Sequence, residues 1–184
     1  MDIASIRFIA SFAIKQQWGQ IIAYRKQVIS ILGLTTIILS LIMYFFAEPI
    51  ALLIGAKTSY IQLNAFFIFP MSIFILNYQG LRGLKKISTF SFFNWISRLL
   101  FSTIIILIVV QFSLDDRIPI FAFLLGILLA AVSSQIIFKN NIQRRLKNHK
   151  VQKLLSKSFN VRSILIVSLP LMFAQSGQFV MAWT

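Results

Sequence analysis

The sequence predicts an all-α, polytopic membrane protein with five transmembrane helices and an amphipathic N-terminal helix. Three observations predict it. The first is five apolar stretches, Gln27–Ala47, Tyr60–Leu81, Phe92–Phe112, Ile118–Phe138 and Ile164–Thr184. Each reaches the roughly 20 residues of helix that match the hydrocarbon core of a bilayer. The second is composition. Hydrophobic residues make up 58 % of the 184 residues and mean hydropathy is +0.85, well above globular usage. The third is the placement of charge. With residues 1–26 inside, the inner segments carry 15 Lys and Arg, and the outer loops carry only Lys57 and Arg117. Three of the four acids, Glu48, Asp115 and Asp116, fall outside as well. A Lys/Arg excess of this kind sets the orientation of a membrane protein.

Residues 1–26 form an amphipathic interfacial segment. It is too polar and too interrupted for the apolar region of a signal peptide. Ile3, Ile6, Ile9, Ala13, Gln17 and Ile21 recur at helical spacing, with Arg7, Ser11 and Lys15 opposite, so the helix has an apolar stripe. Gln16, Gln17 and Gly19 are its expected break, and Trp18 and Tyr24 suit a membrane–water boundary. Two placements are open: in the headgroup layer, or packed on neighbouring helix ends.

Residues 27–138 hold four spans. Arg25 and Lys26 anchor the inner end of the first, which Glu48-Pro49 closes, because proline cannot continue a helix. Pro49–Ser59 is then a short outer loop. The second span carries Asn64, Pro70, Asn77 and Gln79, and Pro70 is expected to kink it. Arg82–Lys86 makes a basic inner turn. In the third span Ser91, Asn94, Arg98 and Ser102 are three or four apart, so they share one face. Two readings of Arg98 stand. It is an anchor that snorkels to the inner interface, or a cation facing a polar cavity. Leu114–Arg117 is a tight outer turn, and its Asp115–Asp116 pair reads as solvated, since no third ligand lies nearby. In the fourth span Gly126, Ala130 and Ser134 form a small-residue stripe that permits close helix contact.

Residues 139–163 are a basic cytoplasmic linker with a moderate amphipathic pattern, read as a surface helix. Residues 164–184 are the last span, with Pro170, Gln175, Ser176, Gly177 and Gln178. It stops without a polar flank. Five spans also leave the termini on opposite sides, so the chain is expected to be a fragment, with the remainder of the same polypeptide as a partner.

Several function classes are excluded or disfavoured. There is no cysteine, hence no disulfide or thiolate metal site. His149 is the sole histidine and sits in a basic loop. No cofactor or metal is implied. No acid or histidine lies within a span for proton transfer, so an enzyme is not expected. The net charge of +14 reads as a topology signal and an attraction for anionic membrane lipids, not for nucleic acid.

Specific resemblance begins at Ser168-Leu169-Pro170 and continues to Thr184. This stretch resembles the start of the second half of polysaccharide-biosynthesis flippases, which move O-antigen repeat units and belong to the multidrug/oligosaccharidyl-lipid/polysaccharide exporter superfamily. A basic linker precedes it there, as Lys139–Arg162 does here. Arg7-Phe8-Ile9-Ala10, followed by the basic segment with Trp18, resembles the stretch before the third helix of these proteins. Leu81-Arg82-Gly83-Leu84 resembles their inner turn between the fourth and fifth helices. The resemblance implies part of one lobe of a two-lobe flippase: helices three to six of the first lobe and the first of the second. It implies a multi-pass protein of the bacterial inner membrane, with a cytoplasmic N-terminus, that translocates a polyprenyl-diphosphate-linked oligosaccharide. On this reading Arg98 meets the diphosphate, and Asn94, Asn77 and Gln175 contact sugar or line the path. Two alternatives stand beside it: a drug–cation antiporter of the same superfamily, and a non-transporting membrane scaffold.

Overall fold

A computed structural model describes residues 2–111 and 118–148, and all the regular structure among them is helical. The helices are α1 (Asp2–Ile14), α2 (Trp18–Phe45), α3 (Ala47–Ile54), α4 (Thr58–Gly83), α5 (Ile87–Ser91), α6 (Ser97–Val109) and α7 (Ile118–Asn148), with a π-helical turn, Phe92–Ile96, joining α5 to α6. Four of these units are long and apolar enough to cross a membrane: α2, α4, the continuous α5–α6 helix and α7. The expected fifth span, Ile164–Thr184, lies outside the described residues. So do the Leu114–Arg117 turn, His149 and the linker beyond residue 148.

Helix α4 is the hub. It packs against α1, α2, α3 and α7, while α6 lies along α7. The core is continuous through Ile21, Tyr24 and Val28 of α2, Phe74 and Leu81 of α4, Phe93, and Ala130 and Phe138 of α7. Outward faces are apolar too. Leu34 is 65 % exposed and Leu107 is 64 % exposed, a pattern suited to lipid rather than water.

Two close approaches set the packing. A Cβ on Gly126 would stand 2.9 Å from the Ser102 backbone nitrogen. The small-residue stripe of α7 therefore does bring two backbones together, with Ala130 and Ser134 fully buried along it. A Cβ on Gly83 would meet the Ile6 carbonyl oxygen and the Ile9 side chain at 3.1 Å, so α1 rests directly on the end of α4.

That contact decides where α1 goes. Its Ser5, Ile9 and Phe12 are buried and Arg7 is exposed. Ser5 Oγ lies 3.2 Å from the Tyr24 hydroxyl, and the Phe8 ring sits 5.3 Å from that of Tyr24. Helix α1 thus packs on helix ends. Its break falls at Gln16, whose φ is +55°, within the expected Gln16–Gly19 segment. Trp18 and Tyr24, expected at a membrane boundary, are instead buried among neighbouring helices.

Three boundaries differ from expectation. Helix α2 starts at Trp18, nine residues before Gln27, because Ile21, Tyr24 and Val28 bury against α1 and α4 and hold that extra length helical. Pro49 does not begin a loop. It sits in the first turn of α3, where the missing N–H has no intrahelical partner to lose; α3 then ends at Gly55 with φ +67°. Helix α7 runs ten residues past Phe138 to Asn148, so the first part of the basic linker continues the span as one helix.

Candidate functional site

A group of polar residues converges at the end of the helices that carries Arg82, Lys85, Lys86, Lys139 and Arg145. Helix α2 brings Arg25 to this end, α4 brings Asn77, and α7 brings Ser134, Gln135 and Phe138. Arg25 lies on the core face of α2, within a turn of buried Ile21 and Val28. Its Nη2 donates to Asn77 Oδ1 and to Gln135 Oε1. Its guanidinium carbon stands 4.0 Å from the centroid of the Phe138 ring.

Asn77 is fully buried. Its Nδ2 donates to Ser134 Oγ at 3.0 Å, with a longer contact to the Ala131 carbonyl at 3.4 Å. Ser134 in turn donates to the Ala131 carbonyl at 2.9 Å. The amide is thereby held with its oxygen towards Arg25. Gly80, one turn before Leu84, makes room for Phe138: a Cβ there would stand 2.5 Å from the ring. The aromatic face under Arg25 therefore depends on a glycine in α4.

Magnitudes explain why the cation is tolerated. An arginine at the centre of a membrane helix costs about 2.5–3.5 kcal/mol on insertion scales. A hydrogen bond to a charged group contributes roughly 1.5–3 kcal/mol, and a desolvated cation–π contact about 2 kcal/mol. Two such bonds and one ring offset the cost. None of these partners is acidic, and the sequence has no acid between Glu48 and Asp115. The network consequently keeps a net positive charge.

Beside it lies a cavity of about 310 Å³. Arg25, Gln135, Lys139 and Gln143 supply its polar lining, and Ile22, Phe138 and Ile142 its apolar wall. Two cations and two amides can take up an anion and hydrogen-bond a hydroxylated group next to it.

The sequence-predicted residues are only partly brought together. Asn77 is in the network, but its partner is Arg25 and not Arg98. Arg98 Nη2 lies 3.4 Å from the Asn94 carbonyl oxygen, and its guanidinium is 6.0 Å from the Phe74 ring centroid. Arg98 and Ser102 lie one turn apart in α6, where the Ser102 hydroxyl donates to the Arg98 carbonyl at 2.7 Å, and the π turn precedes both. The π turn, with Ser97 N–H bonded to the Phe92 carbonyl, inserts extra rotation. Phe93, Ser97 and Ser102 are buried, whereas Ser91, Asn94 and Arg98 are half-buried. Gln175 lies outside the described residues. Sequence reasoning missed Arg25 as a site residue, treating it as an interface anchor. The available signal was its position on the Ile21–Tyr24–Val28 face.

The chain matches no protein-family model, no curated protein and no solved structure.

Proposed function

We propose that these helices belong to a flippase of the bacterial inner membrane, one that carries a polyprenyl-diphosphate-linked oligosaccharide towards the outer face for surface polysaccharide synthesis. The observation that carries this reading is the Arg25–Asn77–Gln135 network: a cation inside an apolar bundle, matched by neutral amides and bordering a cavity. A diphosphate cannot enter hydrocarbon unpaired. Arg25 and Lys139 would meet its charge, Gln135 and Gln143 the first sugar hydroxyls, and the lipid tail would stay among the exposed apolar faces. Within the proposal the N-terminus is cytoplasmic, a fifth span follows residue 163, and the described helices form part of one lobe of two. Arg98, Asn94 and Gln175 are then contacts further along the path. Alternating access would rock this lobe against its counterpart. A drug–cation antiporter is the weaker reading, since coupling to a cation calls for carboxylates, and the four described long helices hold none.

Photolabelling tests it. A photoreactive polyprenyl-diphosphate sugar should label the chain in bacterial membranes, and Arg25→Gln should abolish the labelling at equal membrane abundance. Equal labelling of the variant, or displacement by a hydrophobic cation but not by unlabelled lipid diphosphate, would refute the assignment.

A further inference from the structure

A second cavity, of about 190 Å³, opens where α1, the start of α2, the α4–α5 turn and the end of α7 meet. Ala10, Ala13 and Ile14 form its apolar wall, Lys85 and Arg145 bring donors to it, and Trp18 completes the lining. Trp18 is 3 % exposed, and its Nε1–H is buried with no acceptor among the described residues. Such an unpaired buried donor is costly and calls for an explanation. Arg145 stands with its guanidinium carbon 5.3 Å from the Trp18 ring centroid.

Lys85 adds an independent sign. Its φ is +59°, the left-handed conformation that terminates α4 through Lys85 N–H to the Arg82 carbonyl and Lys86 N–H to the Leu81 carbonyl, both at 3.0 Å. Glycine is the usual residue where a helix ends this way, because a side chain there is strained. The chain places a lysine at the strained position, on the rim of the cavity.

We infer that this cavity receives the phosphate of an anionic phospholipid headgroup. A tetrahedral phosphate offers oxygens to the ammonium and the guanidinium together, beside the wall in which the Trp18 indole lies. The surrounding end of the bundle carries Lys15, Arg82, Lys86 and Arg144 besides, which would draw anionic lipid to it. Ile14, 72 % exposed at the lip, offers an apolar surface to the glycerol and upper acyl chain. A lipid seated here bridges α1, α2, α4 and α7, and so clamps the amphipathic helix to the bundle. The inference requires that the helices sit in a membrane and is independent of what they transport.

The test uses the whole chain in phosphatidylcholine nanodiscs, titrated with phosphatidylglycerol. Indole ¹⁵N–¹H resonances are recorded, and that of Trp18 is assigned by its loss in Trp18→Phe. The Trp18 signal should shift as phosphatidylglycerol rises. Lys85→Gly combined with Arg145→Gln should weaken the response roughly 30-fold, at about a factor of five for each charge near an anionic surface. Glycine adopts the left-handed position without strain, so Lys85→Gly alone should weaken the response while thermal stability is kept or raised. A Trp18 signal indifferent to phosphatidylglycerol, or a double variant titrating like the unmodified chain, overturns the inference. So does a signal that inorganic phosphate moves and phosphatidylglycerol does not, because the ligand would then be the free anion.

Discussion

Removing the two partners of the buried network should have unequal consequences. Asn77→Leu deletes the acceptor for Arg25, a bond to a charged group worth about 1.5–3 kcal/mol. It also deletes the donor to Ser134, worth about 0.6 kcal/mol by the average for membrane helices. The longer 3.4 Å contact to Ala131 adds little. Arg25 would remain, half-buried, on Gln135 and Phe138 alone, so a loss of about 2–4 kcal/mol is expected. Arg25→Met has a smaller effect. It orphans the buried Asn77 oxygen, at about 1–3 kcal/mol, while the cation it removes is near balance, its bonds and the Phe138 ring offsetting an insertion cost of about 2.5–3.5 kcal/mol at most. Gln135 faces the cavity and can turn to solvent. The net change should be a loss of about 1–3 kcal/mol on these figures. In the double variant neither an orphan amide nor an under-paired cation is left, so its loss should fall about 2 kcal/mol short of the sum of the two single losses, a coupling in the range seen for contacting residues. Unfolding in mixed detergent–dodecyl sulfate micelles, followed by circular dichroism, measures all four members of the cycle. Additivity within about 0.5 kcal/mol, or a larger loss for Arg25→Met than for Asn77→Leu, would refute the reasoning.

Gly126→Ala places its methyl against the Ser102 backbone, which has no rotamer to yield, and should cost about 1–3 kcal/mol in the same unfolding assay. Gly80→Ala meets a side chain instead, and the Phe138 ring can swing away. It should destabilise less than Gly126→Ala, yet reduce photolabelling by the lipid diphosphate, because the ring leaves Arg25; undiminished labelling would remove Phe138 from the site. The chain lacks cysteine, so single cysteines report orientation directly. An impermeant maleimide applied to intact cells should modify Ala56→Cys and spare Gln143→Cys until the membrane is opened, and the reverse pattern would contradict a cytoplasmic N-terminus.

Much of the helical layout was legible in the chain. Breaks at Gln16-Gln17 and Arg82–Lys86 mark the ends of α1 and α4, since breakers and charges act locally, whereas α3, expected as a loop from Pro49, was not legible. The Gly126–Ala130–Ser134 spacing announced a close contact, because a four-residue period aligns small residues on one face whatever the neighbour is. The neighbour itself, Ser102 of α6, was not legible. Nor was the π turn at Phe92–Ile96, which adds rotation between Ser91 and the α6 residues Arg98 and Ser102. No residue type there signals an i→i+5 bond.

Composition and period by themselves determined that the described chain is helical, where its apolar spans lie and where its positive charge gathers, for these depend on interactions within a few turns of backbone. The tertiary structure alone decided which arginine is a site residue. In sequence Arg25, paired with Lys26 at the start of a span, reads as an anchor, whereas Arg98, one turn from Asn94, reads as the candidate cavity cation. Asn77 is 52 residues from Arg25 and Gln135 is 110, and only the packing of α4 between α2 and α7 brings those amides to one guanidinium and leaves the other without them.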